Sequence, residues 1–162
     1  MEEEGLLYAA PGKDPRLMQP LVLAYIGDAV YELMIRQYLI AQPNQRVHHL
    51  HQEATSYVSA KSQAKALDIW TPLLDEEELD IVRRGRNAKS GSAPRNTDIV
   101  IYRLATGFEC LIGYLYCARR FGRLRELMDL ILGKPLAGEA SGAGPQHVAE
   151  PDPASDQPSE GD

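Results

Sequence analysis

The chain has little cysteine and no net positive charge. It also lacks a leader-like start and any sustained alternation of apolar and polar residues. Its two cysteines, Cys110 and Cys117, stand seven residues apart in one apolar run. On a helix that spacing puts them two turns apart on one face, beyond the reach of a disulfide, so a reduced thiol pair in a cytoplasmic protein is expected. The N-terminus opens on Glu2, Glu3 and Glu4, where a secretory signal needs basic residues and then an apolar stretch. The best candidate for a membrane span, residues 20–41, is broken by Asp28, Glu32 and Arg36. No β-type alternation persists and no internal repeat is present, which leaves an all-α fold.

The formal net charge of −6 speaks against a nucleic-acid partner until its distribution is considered. Residues 135–162 hold six acids and neither Lys nor Arg, and the other 134 residues balance 17 basic against 17 acidic side chains. Within that neutral body, residues 83–97 carry Arg83, Arg84, Arg86, Lys89 and Arg95 and no acid. A local patch of this kind matters more for meeting phosphates than the global sum.

The pattern predicts a helix over 20–41, apolar on almost every side and therefore central and buried. Pro20 suits its first turn and Pro43 lies past its end. Residues 47–67 read as one or two amphipathic helices. A turn near Thr71 and Pro72 precedes a short helix opening on Asp75, Glu76, Glu77 and Glu78, acids that complement its dipole. Residues 85–94 hold Gly, Asn, Ser and Pro at loop density. A second nearly all-apolar helix, capped by Asn96 or Thr97, runs to about residue 120, and an amphipathic helix over 123–132 stops at Gly133 and Pro135. The expected organisation is a flexible N-terminus (1–14), one catalytic domain (15–134) and a disordered acidic tail (135–162) with almost nothing to bury.

Each of the two most apolar helices carries a carboxylate directly flanked by apolar residues, Asp28 in one and Glu109 in the other. A buried carboxylate needs a basic partner, a raised pKa or a metal ion. In one reading Asp28, Glu32 and Arg36 form a polar stripe, and Glu109 shares a face with Arg103 and Thr106. In the other the two helices pack so that Asp28 and Glu109 converge, with Gly27 and Gly113 permitting close approach. Hard oxygen ligands of that kind suit Mg²⁺ or Mn²⁺. Asp98 is eleven residues before Glu109, about 16 Å along a helix, and reads as a first-turn acid. His48, His49 and His51 are too closely spaced on one helix to share an ion readily. Tyr25, Tyr31, Tyr102, Tyr114 and Tyr116 read as core or dimer-interface packing.

Ribonuclease III domains have one helix reading roughly L-E-F-L-G-D-A-V and a later one reading A-D-x-x-E-A-L-I-G-A. The chain resembles them through Leu23-Ala24-Tyr25-Ile26-Gly27-Asp28-Ala29-Val30 and through Ala105-Thr106-Gly107-Phe108-Glu109-Cys110-Leu111-Ile112-Gly113-Tyr114. Asp28 and Glu109 match two metal-binding carboxylates of that family, while Ala24 and Thr106 stand where it usually has Glu and Asp. These departures are similar to the Mini-ribonuclease III branch, with A-Y-I-G-D-A, R-G-R-N-A-K-S and F-E-A-L-I-G-Y-L. Here Ala24 to Ala29, Arg84 to Ser90 and Phe108 to Leu115 reproduce those segments, save Cys110 for Ala. That branch lacks a C-terminal double-stranded-RNA-binding domain, and residues 135–162 are too few and too polar to be one.

The resemblance implies an all-α ribonuclease III endonuclease fold and a homodimer whose two active sites face a shared RNA valley. It also implies Mg²⁺- or Mn²⁺-dependent hydrolysis of double-stranded RNA at Asp28 and Glu109, leaving a 5′-phosphate and a 3′-hydroxyl. The branch is associated with maturation of large-subunit ribosomal RNA precursors. Arg83, Arg84, Arg86, Asn87, Lys89, Ser90 and Arg95 become the expected RNA contacts, since such side chains suit phosphates and 2′-hydroxyls. Lys61 and Lys65 could extend that patch. Two other readings compete. A non-catalytic RNA-binding or ribosome-assembly module would have no use for lone carboxylates in a phosphate-facing cleft, and a helical interaction protein would explain neither the carboxylates nor the basic segment.

Overall fold

The most apolar segment of the chain becomes the axis around which the rest is wrapped. The computed structural model describes residues 8–43, 46–89 and 98–133. Among these residues there are six α-helices, two short 3-10 turns and no strand: α1 (Pro20–Ile40), α2 (Val47–Val58), α3 (Ala60–Trp70), α4 (Glu76–Asn87), α5 (Ile99–Cys117) and α6 (Phe121–Leu132). The expected all-α class holds. The first seven residues and the expected tail, 135–162, lie outside the described residues.

α5 starts at Asp98, whose carboxylate accepts a hydrogen bond from the Val100 amide at 2.8 Å. The cap is thus slightly later than Asn96 or Thr97, and Asp98 itself meets the orphan donors of the first turn. The second half of α5, including Phe108, Leu111, Ile112 and Leu115, is buried against α1, α3, α4 and α6. By length and composition α5, with mean hydropathy 1.3, could cross a membrane, although the sequence pattern pointed to residues 20–41; half of its apolar window is buried inside the fold.

α1 buries Leu23, Val30, Tyr31, Ile35 and Leu39. It is not buried all round as its composition predicts: Val22, Tyr25 and Leu33 are exposed, Tyr25 at 83%. Apolar character on every side reaches beyond what one chain covers. Residues 47–67 resolve into two helices because Ser59 is extended and its hydroxyl accepts from the Ser62 amide at 3.3 Å, starting α3 afresh. Trp70 closes α3, stacks on Phe108 with ring centroids 4.6 Å apart, and donates its indole N–H to the Leu127 carbonyl at 2.7 Å. One side chain thereby ties α3 to both α5 and α6.

α4 opens on a capping box: Asp75 accepts from the Glu78 amide, and the Glu78 carboxylate accepts from the Asp75 amide. Glu78 is fully buried and also receives the Arg123 guanidinium of α6 at 2.8 and 2.9 Å. Removing Arg123 would leave the Glu78 carboxylate buried without its cation, at a cost of about 3–5 kcal/mol. α6 starts slightly earlier than residue 123 and ends at Gly133, whose φ of +67° is the left-handed conformation that a helix C-terminus favours.

α4 also corrects the expected loop over 85–94. It continues through Arg83, Arg84, Gly85, Arg86 and Asn87. Arg84 and Arg86 in its last turn complement the helix dipole. Gly85 is no loop former: a Cβ there would stand 2.7 Å from the Cys110 sulfur and 3.0 Å from the Gly107 Cα. The absent side chain lets α4 lie directly on α5.

Candidate active site

The crossing of α1 and α5 is closer still. A Cβ on Gly27 would fall 1.8 Å from the Glu109 carbonyl oxygen, and one on Gly113 would fall 1.9 Å from the Leu23 carbonyl oxygen. Backbone therefore meets backbone over one full turn of each helix, as the two glycines suggest. Asp28 directly follows Gly27, and Glu109 is the residue whose carbonyl Gly27 touches, so the contact places both carboxylates at the edge of the same crossing.

They line one open cleft of about 680 Å³ between α1 and α5. Tyr25 and Tyr102 flank it, and Ala24 and Thr106 line it as well. The positions at which the chain departs from the wider family pattern thus face the same space as the two that match. Among the described residues no third Asp, Glu, His or Cys joins the pair. A smaller recess of about 210 Å³ between the end of α1 and α2 is lined mostly by apolar side chains and contains no carboxylate.

Burial raises the Glu109 carboxyl to about 7, and the negative charge of Asp28 adds to the rise. A contact from the Gln63 side chain pulls the other way. Arg103 and Thr106 do not neutralise Glu109: the Thr106 hydroxyl donates to the Tyr102 carbonyl at 3.0 Å, and Arg103 is exposed. The polar stripe on α1 is only partly present, because Glu32 pairs with Arg36 at 2.7 Å and leaves Asp28 out. Asp28 is exposed and not buried, since its side of α1 opens onto the cleft. The donor set fits a hard divalent cation: two carboxylates share a cleft, and burial, with the charge of Asp28 second, raises the proton affinity of Glu109.

The expected RNA contacts divide into groups. Arg83 is exposed and pairs with Asp80 one turn earlier on α4. Arg84 donates to the backbone carbonyls of Arg16 at 2.8 Å and Met18 at 3.0 Å, strapping the segment before α1 onto α4. Arg86, Asn87 and Lys89 are exposed at and just past the end of α4, as are Lys61 and Lys65 on α3. Ser90 and Arg95 lie outside the described residues. Gln63 was not marked by the residue pattern. Its signal was a polar residue on the apolar face of α3 formed by Ala64, Leu67 and Trp70.

Residues 21–120, the span that holds this cleft, match the family model of the ribonuclease III domain. The chain belongs to the ribonuclease III family. Within it the chain falls in the Mini-ribonuclease III branch. It is 54% identical over 113 residues to a Mini-ribonuclease 3 of Thermoanaerobacter sp. (strain X514), covering 70% of this chain and 80% of that one. It is 52% identical over 117 residues to a Mini-ribonuclease 3 of Brevibacillus brevis (strain 47 / JCM 6285 / NBRC 100599), covering 72% and 87%. The crystal structure of a protein from Fusobacterium nucleatum is similar with a TM-score of 0.67 and 30% identity, covering 75% of this chain and 97% of that one. As a member of the ribonuclease III family the chain is an endoribonuclease.

Proposed function

We propose that this ribonuclease III family member hydrolyses double-stranded RNA with a divalent cation, Mg²⁺ or Mn²⁺, held by Asp28 and Glu109. The observation that carries the reading is the shared cleft, in which burial and, after it, the charge of Asp28 raise Glu109 to about 7. When bound there, the cation supplies a more acidic attacking water and neutralises charge developing on the phosphate. Asp28, open to solvent, offers an anionic ligand without displacing neighbours. Glu109 has to give up its proton to serve as the second ligand. Ala24 and Thr106 add no charge, so Asp28 and Glu109 alone would supply the anionic ligands from this chain.

The substrate follows from the cations beyond the cleft. Arg86 and Lys89, with Asn87, would meet phosphates and 2′-hydroxyls, which is how duplex RNA is recognised. A homodimer fits the uncovered apolar stripe of Val22, Tyr25 and Leu33 on α1, with Ile99 and Val100 at the start of α5. Under this reading the partner buries that stripe, and two clefts face one RNA. The proposed biological substrate is a large-subunit ribosomal RNA precursor, by analogy with the branch.

Loss of two carboxylates, at Ala24 and Thr106, is the one feature that favours a non-catalytic RNA-binding module. Incubating the purified protein with double-stranded RNA, with and without Mg²⁺, separates the two. Cleavage that needs Mg²⁺ and leaves 5′-phosphates supports the enzyme, and Mg²⁺-independent binding with no cleavage supports the module.

A further inference from the structure

A glutamine 2% exposed, on the core-facing side of α3, is an unusual choice. Gln63 shares that side with Ala64, Leu67 and Trp70, and α3 is packed along α5. Its amide nitrogen donates one hydrogen to the Val58 carbonyl at 3.3 Å, at the corner between α2 and α3. An amide nitrogen carries two hydrogens. Among the described residues the Gln63 side chain is, after burial and Asp28, the remaining influence on the Glu109 carboxyl, and as a hydrogen-bonding neighbour it favours the carboxylate. Trp70, further along the same face, stacks on Phe108, the residue before Glu109, and so fixes how α3 lies on that part of α5.

We infer that Gln63 is a positioning residue: anchored on Val58, its amide holds the Glu109 carboxylate in the orientation that faces Asp28 across the cleft. The inference rests on the metal-dependent cleavage proposed above. It assigns α3 a part in the site that none of the matched motifs contains. A site with only two carboxylates has few anchors for its cation, so the orientation of each counts for more. Groups that hold a ligand from behind typically change metal affinity by about 10–100-fold when removed.

The test compares the parent with Gln63→Leu, which keeps the bulk and removes the amide. Mn²⁺ binding to the RNA-free protein is read by electron paramagnetic resonance, and kcat and KM are read on a double-stranded RNA. The expected result is a folded protein whose Mn²⁺ affinity falls by about 10-fold or more, with kcat falling alongside and KM for RNA unchanged. Gln63→Met, of similar length and more adaptable, should behave alike and stands in if the leucine variant does not fold. Folded variants with parental Mn²⁺ affinity and kcat would overturn the inference, as would a lowered melting temperature with metal binding intact. Failure of both variants to fold would assign Gln63 to the core and overturn it too. Asp28→Asn runs alongside. If the parent itself neither binds Mn²⁺ nor cuts, the functional reading has failed, whereas a working parent silenced by Asp28→Asn but untouched at Gln63 refutes this inference alone.

Discussion

Two helices cross α5 on glycine, and what surrounds the glycines is opposite in charge. At the α1 crossing Gly27 adjoins Asp28, and Gly113 lies one turn beyond Glu109. At the α4 crossing Gly85 lies between Arg84 and Arg86 and rests on Gly107. The packing device is the same, but one crossing brings two anions to the rim of a cleft and the other brings cations to the end of a helix. A glycine between two helices therefore says that backbones meet, and its neighbours say what the meeting presents to solvent.

The comparison breaks most severely at the carboxylates. Asp28→Asn and Glu109→Gln each keep the shape and remove a hard anionic ligand. Cleavage should fall by on the order of 10²–10³-fold or more, with the melting temperature preserved. A rate near the parent's in either variant would sink the assignment. No single substitution at the α4 crossing should reduce kcat as much.

Next come the glycines themselves. Gly113→Ala forces a methyl to 1.9 Å from the Leu23 carbonyl, a rigid backbone neighbour, so α1 and α5 must separate. Denaturant unfolding should show a loss at or above the top of the usual range of about 1–3 kcal/mol for overpacking. Gly85→Ala meets mainly the Cys110 side chain and should lose less, with part of the loss recovered by adding Cys110→Ala. Gly122→Ala, with nothing within 4 Å, should leave stability unchanged or slightly raised. Equal losses at Gly113 and Gly122 would contradict the crossing geometry.

Smaller effects separate the cations. Arg84→Ala should lower stability, because two backbone carbonyls lose their donor. Arg86→Ala with Lys89→Ala should leave stability alone and weaken RNA binding. The slope of log affinity against log salt should flatten by roughly 0.9 per lost phosphate contact, on the duplex-DNA scale. An unchanged slope would place the RNA elsewhere.

The legible parts were those in which residue type alone decides. α1 and α5 announce themselves by composition, and Asp28 and Glu109 stand out as acids in apolar runs. Gly85 and Asn87 favour a loop locally, whereas α4 continues through both. Only the position of Gly107 and Cys110 on another helix shows why a glycine belongs there. Composition alone marks α1 as buried on every side, Asp28 included, whereas the side that carries Asp28 opens onto the cleft. Gln63 is not legible in the sequence, because a single polar residue in a mixed amphipathic helix carries no meaning without α5 beside it.

Proton linkage offers a further check on the anionic crossing. Glu109 sits at about 7 in the fold against an ordinary 4.5. Between these values the unfolded chain has released the proton and the folded one keeps it. In the metal-free protein, stability should therefore fall as pH rises through that window and level off above it. Glu109→Gln should flatten this dependence, and a parent curve that rises through the window would contradict the shared cleft.

The most direct measurement follows the Glu109 carboxyl carbon by NMR through a pH titration, in the parent, in Asp28→Asn, and with added Mg²⁺. A midpoint near 7 in the metal-free parent is predicted. It should move down when the charge of Asp28 is removed, and down again when Mg²⁺ competes with the proton for the same oxygens. An ordinary carboxylate midpoint in both proteins, indifferent to Mg²⁺, would mean that Asp28 and Glu109 do not form one cation-binding cleft.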